Sequence, residues 1–330
     1  MQLSVVVPTL NGRRQLVACL DALAATAPES EVIVVNGPSA DGTTGMVRGR
    51  EDVDVLVEVA DRNLNVVRNA GLEAATGDRI ALVGNDYTVE PEWLAALDRG
   101  FDGARPLPRS HALAEGYPLP DGSTIGAVTG PTRSSERGGP ETRTIAGRDV
   151  TYFDGFNVAF SSEAVTALDG FDEYLETGGA RDFAHRLAAN GYDVAWREEM
   201  AVRDGIEASP DGEPKTRVPR TVSDGGHTER DWNWRYRALA YRLVKNYGFR
   251  PTTVRRLASH AGSDAIAELV GIIRGEVTPT GWLATGRDVF SGTFRGESAG
   301  LLARWRDRGR RNPHGISSRS NRAVAVYDRR

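Results

Sequence analysis

Four short apolar runs, each followed by a stretch of helical period, constrain this chain more than any other feature. They are LSVVVP (Leu3 to Pro8), EVIVV (Glu31 to Val35), VDVLVEV (Val53 to Val59) and RIALV, which ends at Val83. Between them, RRQLVACLDALAA puts Leu16, Leu20 and Leu23 on one helical face, DGTTGMVRG opens a short helix, and NVVRNAGLEAA makes another that Gly77-Asp78 ends. Continuous apolar strands alternating with amphipathic helices predict an α/β fold, a mostly parallel sheet covered on both faces. Ligands of such sheets sit outside the carboxyl ends of the strands. The polar segments at those ends, Pro8 to Asn11, Asn36 to Asp41 and Gly84 to Asp86, are therefore the first candidates for a site.

The rest of the chain is organised differently. Ile125 to Gly130 and FDGFNVAFSSEAV read as strands, the second running into a helix capped by Ser161 or Ser162. Residues 133–147, rich in Gly, Arg, Ser and Thr, read as a surface loop. A further helix runs to Asn190-Gly191, YDVAW follows as a strand, and 204–226 reads as a Pro, Gly and Asp-rich loop. Beyond it RDWNWRYRALAYRLVKNYG sets Trp232, Tyr236, Leu239 and Leu243 on one stripe. The expected division is a catalytic domain over 1–226 and a C-terminal helical region with a basic tail over 227–330.

Composition narrows the class. With 330 residues, 40% of them hydrophobic, the chain buries a core without staples, and its single cysteine, Cys19, lies in an apolar helical pattern that reads as a small buried side chain. No disulfide framework or zinc cluster is available within one chain. The start lacks a basic segment and a signal core, and no apolar run approaches bilayer length, so a cytoplasmic protein with at most peripheral membrane contact is expected. The net charge of −4 hides an asymmetry: Arg304 to Arg330 holds nine Arg against Asp307 and Asp328, a segment at +7 that leaves −11 for the remainder. A basic tail on an acidic body reads either as a solvated end or as a docking element for an anionic surface; of the two such surfaces, a membrane is expected and nucleic acid is not.

A series of motifs names a reaction. SVVVPTLNG, VIVVNGPSADGT, RNAG with ATGD, ALVGNDYTVEPEWL, GFNVAF and GFDEYL, in this order and at these distances, resemble the family 2 glycosyltransferases of GT-A fold over Leu3 to Trp196. RYRALAYRLVKNYG is similar to the Tyr- and Arg-rich helix that follows the catalytic domain in members acting on lipid-linked or cell-surface glycans. The archaeal enzymes that extend lipid-linked N-glycans of S-layer glycoproteins are the subgroup the chain most resembles. The resemblance implies inverting transfer of a sugar from a nucleoside diphosphate donor, UDP favoured, to an acceptor hydroxyl. That chemistry needs a base, charge stabilisation for the leaving diphosphate, and a nucleotide platform.

By the same resemblance, Pro8, Thr9 and Asn11 end the first strand beside the nucleotide. Asn36 stands where the family has a base-binding Asp, Ser39 and Asp41 form the turn beneath the nucleotide, and Arg68 lies near the diphosphate. The metal-binding Asp-x-Asp is reduced to Gly84-Asn85-Asp86, so a Mg or Mn ion would rest on Asp86, with Asn85 beside the donor and His227 as a second metal contact. The alternative is a fixed cation in place of the metal. The family's Glu-Asp falls on Gly179-Ala180 if Arg186-Leu187 and Gly191 are matched without gaps. A two-residue shift instead makes Asp182 the base and sets Arg181 beside it to face the diphosphate, with Glu176 and Asp172 as fallbacks. The shifted register is the preferred expectation, since Asp182 is the carboxylate of that helix's first turn. A nicotinamide or flavin enzyme is disfavoured because PTLNGRRQ lacks the Gly-x-Gly-x-x-Gly turn. The rival reading is a sugar-nucleotide or glycan binding protein whose catalytic groups have decayed.

Overall fold

The computed structural model describes residues 2–102, 124–132, 139–205, 232–260, 262, 279–306 and 312–330. The apolar runs become β1 (Leu3–Thr9), β2 (Glu31–Asn36), β3 (Val55–Val59) and β4 (Arg79–Val83), separated by α1 (Arg13–Thr26), α2 (Thr43–Arg48) and α3 (Leu64–Ala74). Then come β5 (Tyr87–Val89), α4 (Trp93–Asp102), β6 (Thr124–Thr129), β7 (Thr142–Ile145), β8 (Arg148–Thr151), β9 (Asn157–Ser161), α5 (Ser162–Leu168), α6 (Gly179–Ala189), β10 (Tyr192–Trp196) and β11 (Val202–Asp204). The C-terminal part holds α7 (Trp232–Tyr247), a helix over 251–260 numbered α8, α9 (Pro279–Arg306) and β12 (Ala323–Asp328). Local chemistry sets several boundaries. Asn63 caps α3 by accepting from the Asn65 N–H at 2.9 Å, and Ser161 caps α5 by accepting from the Ala164 N–H at 3.1 Å.

The central sheet has eight strands in the order β10-β6-β9-β4-β1-β2-β3-β12. Pairings among β1, β2, β3 and β4 and between β10 and β6 are parallel; β9 and β12 run antiparallel to their neighbours. Alternate side chains build a core on each face. One face joins Val6, Ile33, Val35 and Leu82 to Phe160, Phe171 and Phe183, with the Phe183 centroid 4.7 Å from each of the other two rings. The other packs Val5, Val7 and Ala81 under Leu16, Leu20, Leu23 and Trp93. Cys19 is buried in that second layer, and burial, with the charge of Asp86, pushes its thiol pKa up, as suits a packed side chain and not a nucleophile.

Two expectations for the C-terminal region change. The region is not helical throughout, because β12 pairs with β3 and completes the sheet. Several arginines of the tail are also tied to the body rather than left unpaired. Arg322, with a fully buried side chain, bridges Glu173 and Glu73; Arg319 pairs with Glu173 at 2.9 Å; Arg330 reaches Glu31; and Arg329 donates to the carbonyls of Arg48 and Arg50. The acidic body is the partner of its own tail. A third difference lies in 133–147, where β7 begins a hairpin with β8 inside the stretch read as loop. The expected boundary at 226 and 227 lies outside the described residues.

The helices of the C-terminal part are held by close backbone approach and by a buried ionic network. Gly292, Gly296 and Gly300 of α9 face the carbonyls of Asn233, Arg237 and Tyr241 of α7, where a Cβ would come within 2.3, 2.2 and 2.7 Å. On its other side α7 inserts Lys245 between Asp172 and Asp182, the latter at 3.3 Å. Arg186 reaches Asp182 at 2.7 Å and spends its other nitrogens on the carbonyls of Leu168 and Gly170; Tyr241 donates to Asp172 and Asn246 to Asp182, each at 2.8 Å. Removing one member strands a buried charge. Lys245→Met should therefore cost about 3–5 kcal/mol of stability in chemical denaturation, and a loss below 1 kcal/mol would show the network to be incidental.

Candidate active site

At the carboxyl edge of the sheet, the ends of β1, β2 and β4 are laced together by side chains. The Asn85 amide donates to Thr9 Oγ1 at 3.2 Å, joining β4 to β1. The Asn11 N–H donates to Ser39 Oγ and the Ala40 N–H to Asn11 Oδ1, both at 2.8 Å, joining β1 to the turn after β2. Asn11 itself holds φ of 51°, in the left-handed region that asparagine tolerates. Asp41 accepts from the N–H groups of Arg13 and Thr43 and from the Thr43 hydroxyl; these bonds outweigh burial and hold its carboxyl below the usual range. Pro8 is buried within β1, one residue before this edge.

Asn36, read as a contact to the nucleobase, is buried with both polar atoms in use: Ser39 Oγ donates to its carbonyl at 2.7 Å, and its amide donates to Thr44 Oγ1 at 3.1 Å. The Thr44 hydroxyl passes the chain on to Glu58 at 2.5 Å. Glu58 is the cross-strand partner of Asn36 in the β2 and β3 register, so a carboxylate stands at the same edge. The signal for it in the sequence is a charged residue inside the otherwise apolar end of VDVLVEV.

Asp86 follows β4 in a turn closed by the Tyr87 N–H on the Gly84 carbonyl at 3.0 Å, and the Gly84 N–H donates to the Phe156 carbonyl at 3.0 Å. That second bond brings the FDGFN segment before β9 against the Asp86 turn. Asp154 of this segment, half-buried, accepts from the Phe156 N–H at 2.9 Å and feels the charges of Arg68 and Asp86. Burial, followed by the like charge of Asp86, raises its carboxyl pKa against the opposing pull of Arg68. Arg68 is buried between the rings of Phe156 and Phe171, at 5.1 and 5.0 Å, and donates to the Gly155 carbonyl at 2.8 Å. Burial brings its guanidinium pKa down to about 10, and its Nε has no hydrogen-bond partner. Nothing in the spacing of FDGFN marks Asp154 out, and its relevance arises from the non-local contact with the Asp86 turn.

The expected base lies elsewhere. Asp182 is fully buried, with its oxygens taken by Arg186, Lys245 and Asn246. Burial works against its ionisation, but Lys245 and Arg186 outweigh that and hold the carboxyl well below the usual range. A carboxylate so placed cannot reach an acceptor hydroxyl. The alternative, gapless register puts Gly179-Ala180 where the family has Glu-Asp. Residue 179 leaves no room for a side chain, since a Cβ there would come 2.2 Å from Asn65 Oδ1. Of the fallbacks, Asp172 belongs to the buried network, and Glu176 is held by Trp234 and Arg237 at 3.1 and 3.3 Å. Arg181 pairs with Glu141 at 3.0 Å and lies over the Tyr152 ring at 4.5 Å. His227 lies outside the described residues. Among the described residues no three metal-ligating side chains cluster. A hard divalent ion here would rest on Asp86 and take most of its ligands from diphosphate and water.

The sequence of this edge has known counterparts. The Glycosyl transferase family 2 model matches residues 4–104. The chain carries a family 2 glycosyltransferase domain. That segment contains each strand end described above except the one supplied by the FDGFN loop. Glycosyltransferase AglE of Haloferax volcanii is 24% identical over 209 residues, 60% of this chain and 64% of that protein. A pre-mycofactocin glycosyltransferase of Mycobacterium tuberculosis is 29% identical over 196 residues, 57% of this chain and 39% of that one. The chain thus spans less than two thirds of the length of these relatives. Among solved structures, the mannosyltransferase PcManGT of Pyrobaculum calidifontis, in complex with GDP-Man and Mn2+, aligns at 18% identity over 93% of this chain and 88% of its own, with a TM-score of 0.51. S. aureus TarS 1-349 in complex with UDP-GlcNAc aligns at 16% identity over 75% and 68%, with a TM-score of 0.52. The fold of the family 2 domain and its extension is therefore of GT-A type.

Asp154 and Asp182 respond oppositely to neutralisation. A carboxyl whose folded pKa is raised binds its proton more tightly when folded, so stability falls as pH rises from the unfolded carboxylate range through the folded value. A depressed carboxyl contributes stability above its unfolded pKa and loses it as pH falls through the folded value. At neutral pH, thermal denaturation should give Asp154→Asn an unchanged or higher Tm than the wild type and Asp182→Asn a lower one. The reverse order would overturn both assignments.

Proposed function

We propose that the protein is an inverting glycosyltransferase that moves a sugar from a nucleoside diphosphate donor to an acceptor hydroxyl, with Asp154 as the general base. The observation that carries the reading is the meeting of Asp154, Asp86 and Arg68 beside the polar strand ends of the family 2 domain. Thr9, Asn11, Ser39, Asp41 and Asn85 shape the floor under the nucleotide, and Asn36 acts through Ser39, Thr44 and Glu58. Asp86 holds the diphosphate end, with a Mg or Mn ion that neutralises the leaving group's charge. Arg68 supplies a fixed cation close by, the part first expected of Arg181. A half-buried carboxyl with a raised pKa suits proton abstraction from a sugar hydroxyl near neutral pH. Support for nucleotide sugars as donors comes from the bound GDP-Man and UDP-GlcNAc of the two structural relatives.

The direct experiment is a screen of UDP, GDP and dTDP sugars with and without manganese, for the wild type and Asp154→Asn. Loss of the base should lower turnover by about 10²–10⁴-fold while donor binding stays within a few-fold. The acid limb of the rate profile should lie above the ordinary carboxylate range, because the base must be ionised and its pKa is raised. Donor binding without turnover in the wild type would favour the decayed binding protein, a reading the Gly179-Ala180 pair motivates.

The acceptor in this reading is a lipid-linked glycan serving protein or cell-surface glycosylation, worked on at the cytoplasmic face of a membrane. Among the described residues no helix is long and apolar enough to cross a bilayer. What supports surface docking is α9, which exposes Phe290, Phe294, Leu301 and Trp305 on one stripe, with Arg287, Arg295 and Arg306 exposed beside it and Asp288 as an exposed acid. Aromatic and cationic side chains on one helix suit an anionic lipid interface. In flotation with vesicles containing anionic lipid, the wild type should float and Phe290→Ser/Phe294→Ser/Trp305→Ser should stay in the bottom fraction. Equal flotation of the two would remove α9 from the reading.

A further inference from the structure

We propose that the junction of β8, α6, α7 and α8 is a binding site for a phosphate group, separate from the nucleotide edge and suited to a phosphate carried by the acceptor. Four arginines from four elements lie within electrostatic reach of one buried group of rings there: Arg148 of β8, Arg181 of α6, Arg242 of α7 and Arg256 of α8. They surround an aromatic trio. His185 Nδ1 lies 2.7 Å from the Tyr247 hydroxyl and Nε2 lies 3.4 Å from the Tyr152 hydroxyl, with both rings set edge-on to the imidazole. Arg181 covers the Tyr152 ring at 4.5 Å and Arg148 the Tyr247 ring at 5.7 Å. The Arg242 guanidinium lies over Gly178, where a Cβ would sit 2.3 Å from one of its nitrogens. Arg256 acts electrostatically on His185, Arg242 and Tyr247 alike.

The positive charge at this junction exceeds the negative charge paired with it among the described residues. Glu141 pairs with Arg181, but it is shared with Arg143. Asp182 is within electrostatic reach, yet its oxygens are taken by Arg186, Lys245 and Asn246. Arg242 has a buried Nε without a hydrogen-bond partner, and burial and the neighbouring Arg181 and Arg256 pull its guanidinium pKa down to about 10. Burial, and then Arg242, Arg256 and Arg181 against Asp182, hold His185 down to about 3, so the imidazole stays neutral. Arginines kept close together with one shared carboxylate repel one another, and an anion relieves that cost.

The geometry selects the ligand. Planar forks approaching from different elements match the tetrahedral oxygens of a phosphate, and the tyrosine hydroxyls add neutral hydrogen-bonding groups around it. None of the four arginines contacts Thr9, Asn11, Asn85 or Asp86 among the described interactions. Gly155, next to Asp154, lies against Ala180, whose neighbour is Arg181, so a phosphate bound at Arg181 would anchor a molecule whose other end reaches the Asp154 carboxylate. Only the identity of the phosphate's carrier rests on the transferase reading; the site itself does not.

The test is calorimetric binding to the full chain, with decyl phosphate, inorganic phosphate and UDP as separate probes, for the wild type, Arg256→Gln and Arg148→Gln/Arg242→Gln. Decyl phosphate should bind the wild type and lose about ten-fold or more in affinity in the double variant, with a smaller loss in Arg256→Gln, while UDP is unaffected. Inorganic phosphate binding as tightly as decyl phosphate, and lost in the same variants, would assign the site to free phosphate and overturn the acceptor. Unchanged decyl phosphate binding in both variants overturns the site. An equal loss of UDP in Arg256→Gln, the milder substitution, would make the junction part of the donor site and overturn its separateness. Failure of UDP to bind the wild type with decyl phosphate binding intact would count against the transferase reading alone.

Discussion

Lys245, the described one of the chain's two lysines, organises the junction on which the rest of the structure depends. Its ammonium is buried between Asp172 and Asp182, and Arg186 completes a set of two cations and two carboxylates. Bringing each ion out of water costs several kcal/mol, so such a set persists only when nearly every donor and acceptor is used. That condition holds here: Tyr241, Asn246 and two backbone carbonyls take up the remaining capacity. The consequence is directional as well as energetic. α6 and α7 can meet in one register, and the first turn of α6 is thereby fixed beside the FDGFN loop and its Asp154.

A second electrostatic arrangement closes the other edge of the sheet. Read as charge alone, a +7 tail on a −11 body points to a foreign anionic surface. In the folded chain Glu31, Glu73 and Glu173 of the body face Arg330, Arg322 and Arg319 of the tail, and β12 lies along β3 between these contacts. Glu31 also receives the Ser4 and Thr76 hydroxyls, which sets that pair at the base of β1 and β2. Opposite charges far apart in sequence are indistinguishable from unpaired ones until the fold brings them together, and the covered β3 edge is the gain.

The same distinction explains what was legible. The strands β1 to β4 and their helices follow from period and caps, both local properties, and the strand ends of the nucleotide edge follow from them. A serine cap at 161 or 162 was legible for the same reason, and the structure selects Ser161. The antiparallel β12 was not, because AVAVYD is a short run at the end of a basic segment and its partner is β3, far back in the chain. Asp182 shows the limit most clearly. A carboxylate in the first turn of a helix looks like a base by charge and position, and burial, which no local pattern reveals, makes it structural. Asp154 is the converse: an isolated aspartate in a short loop, it gains chemical meaning from a backbone bond between Phe156 and Gly84.

The first turn of α6 brings these strands together. A helix N-terminus favours negative charge, and an arginine there is mildly unfavourable, by about 0.3–1 kcal/mol. This helix nevertheless begins Gly179-Ala180-Arg181, with its single acid, Asp182, turned inward to the ionic network. Glu141 and the Tyr152 ring offset part of the cost at Arg181, yet Arg242 is set close to the same turn. Sequences that work against a local preference without an evident structural gain do so most often where a ligand supplies the missing interaction. The turn therefore reads as an electropositive wall facing the Asp154 side of the site. In the proposed arrangement proton abstraction and anion recognition belong to different segments: the carboxylate comes from the loop before β9, and the cations from β8 and the helices packed around Lys245.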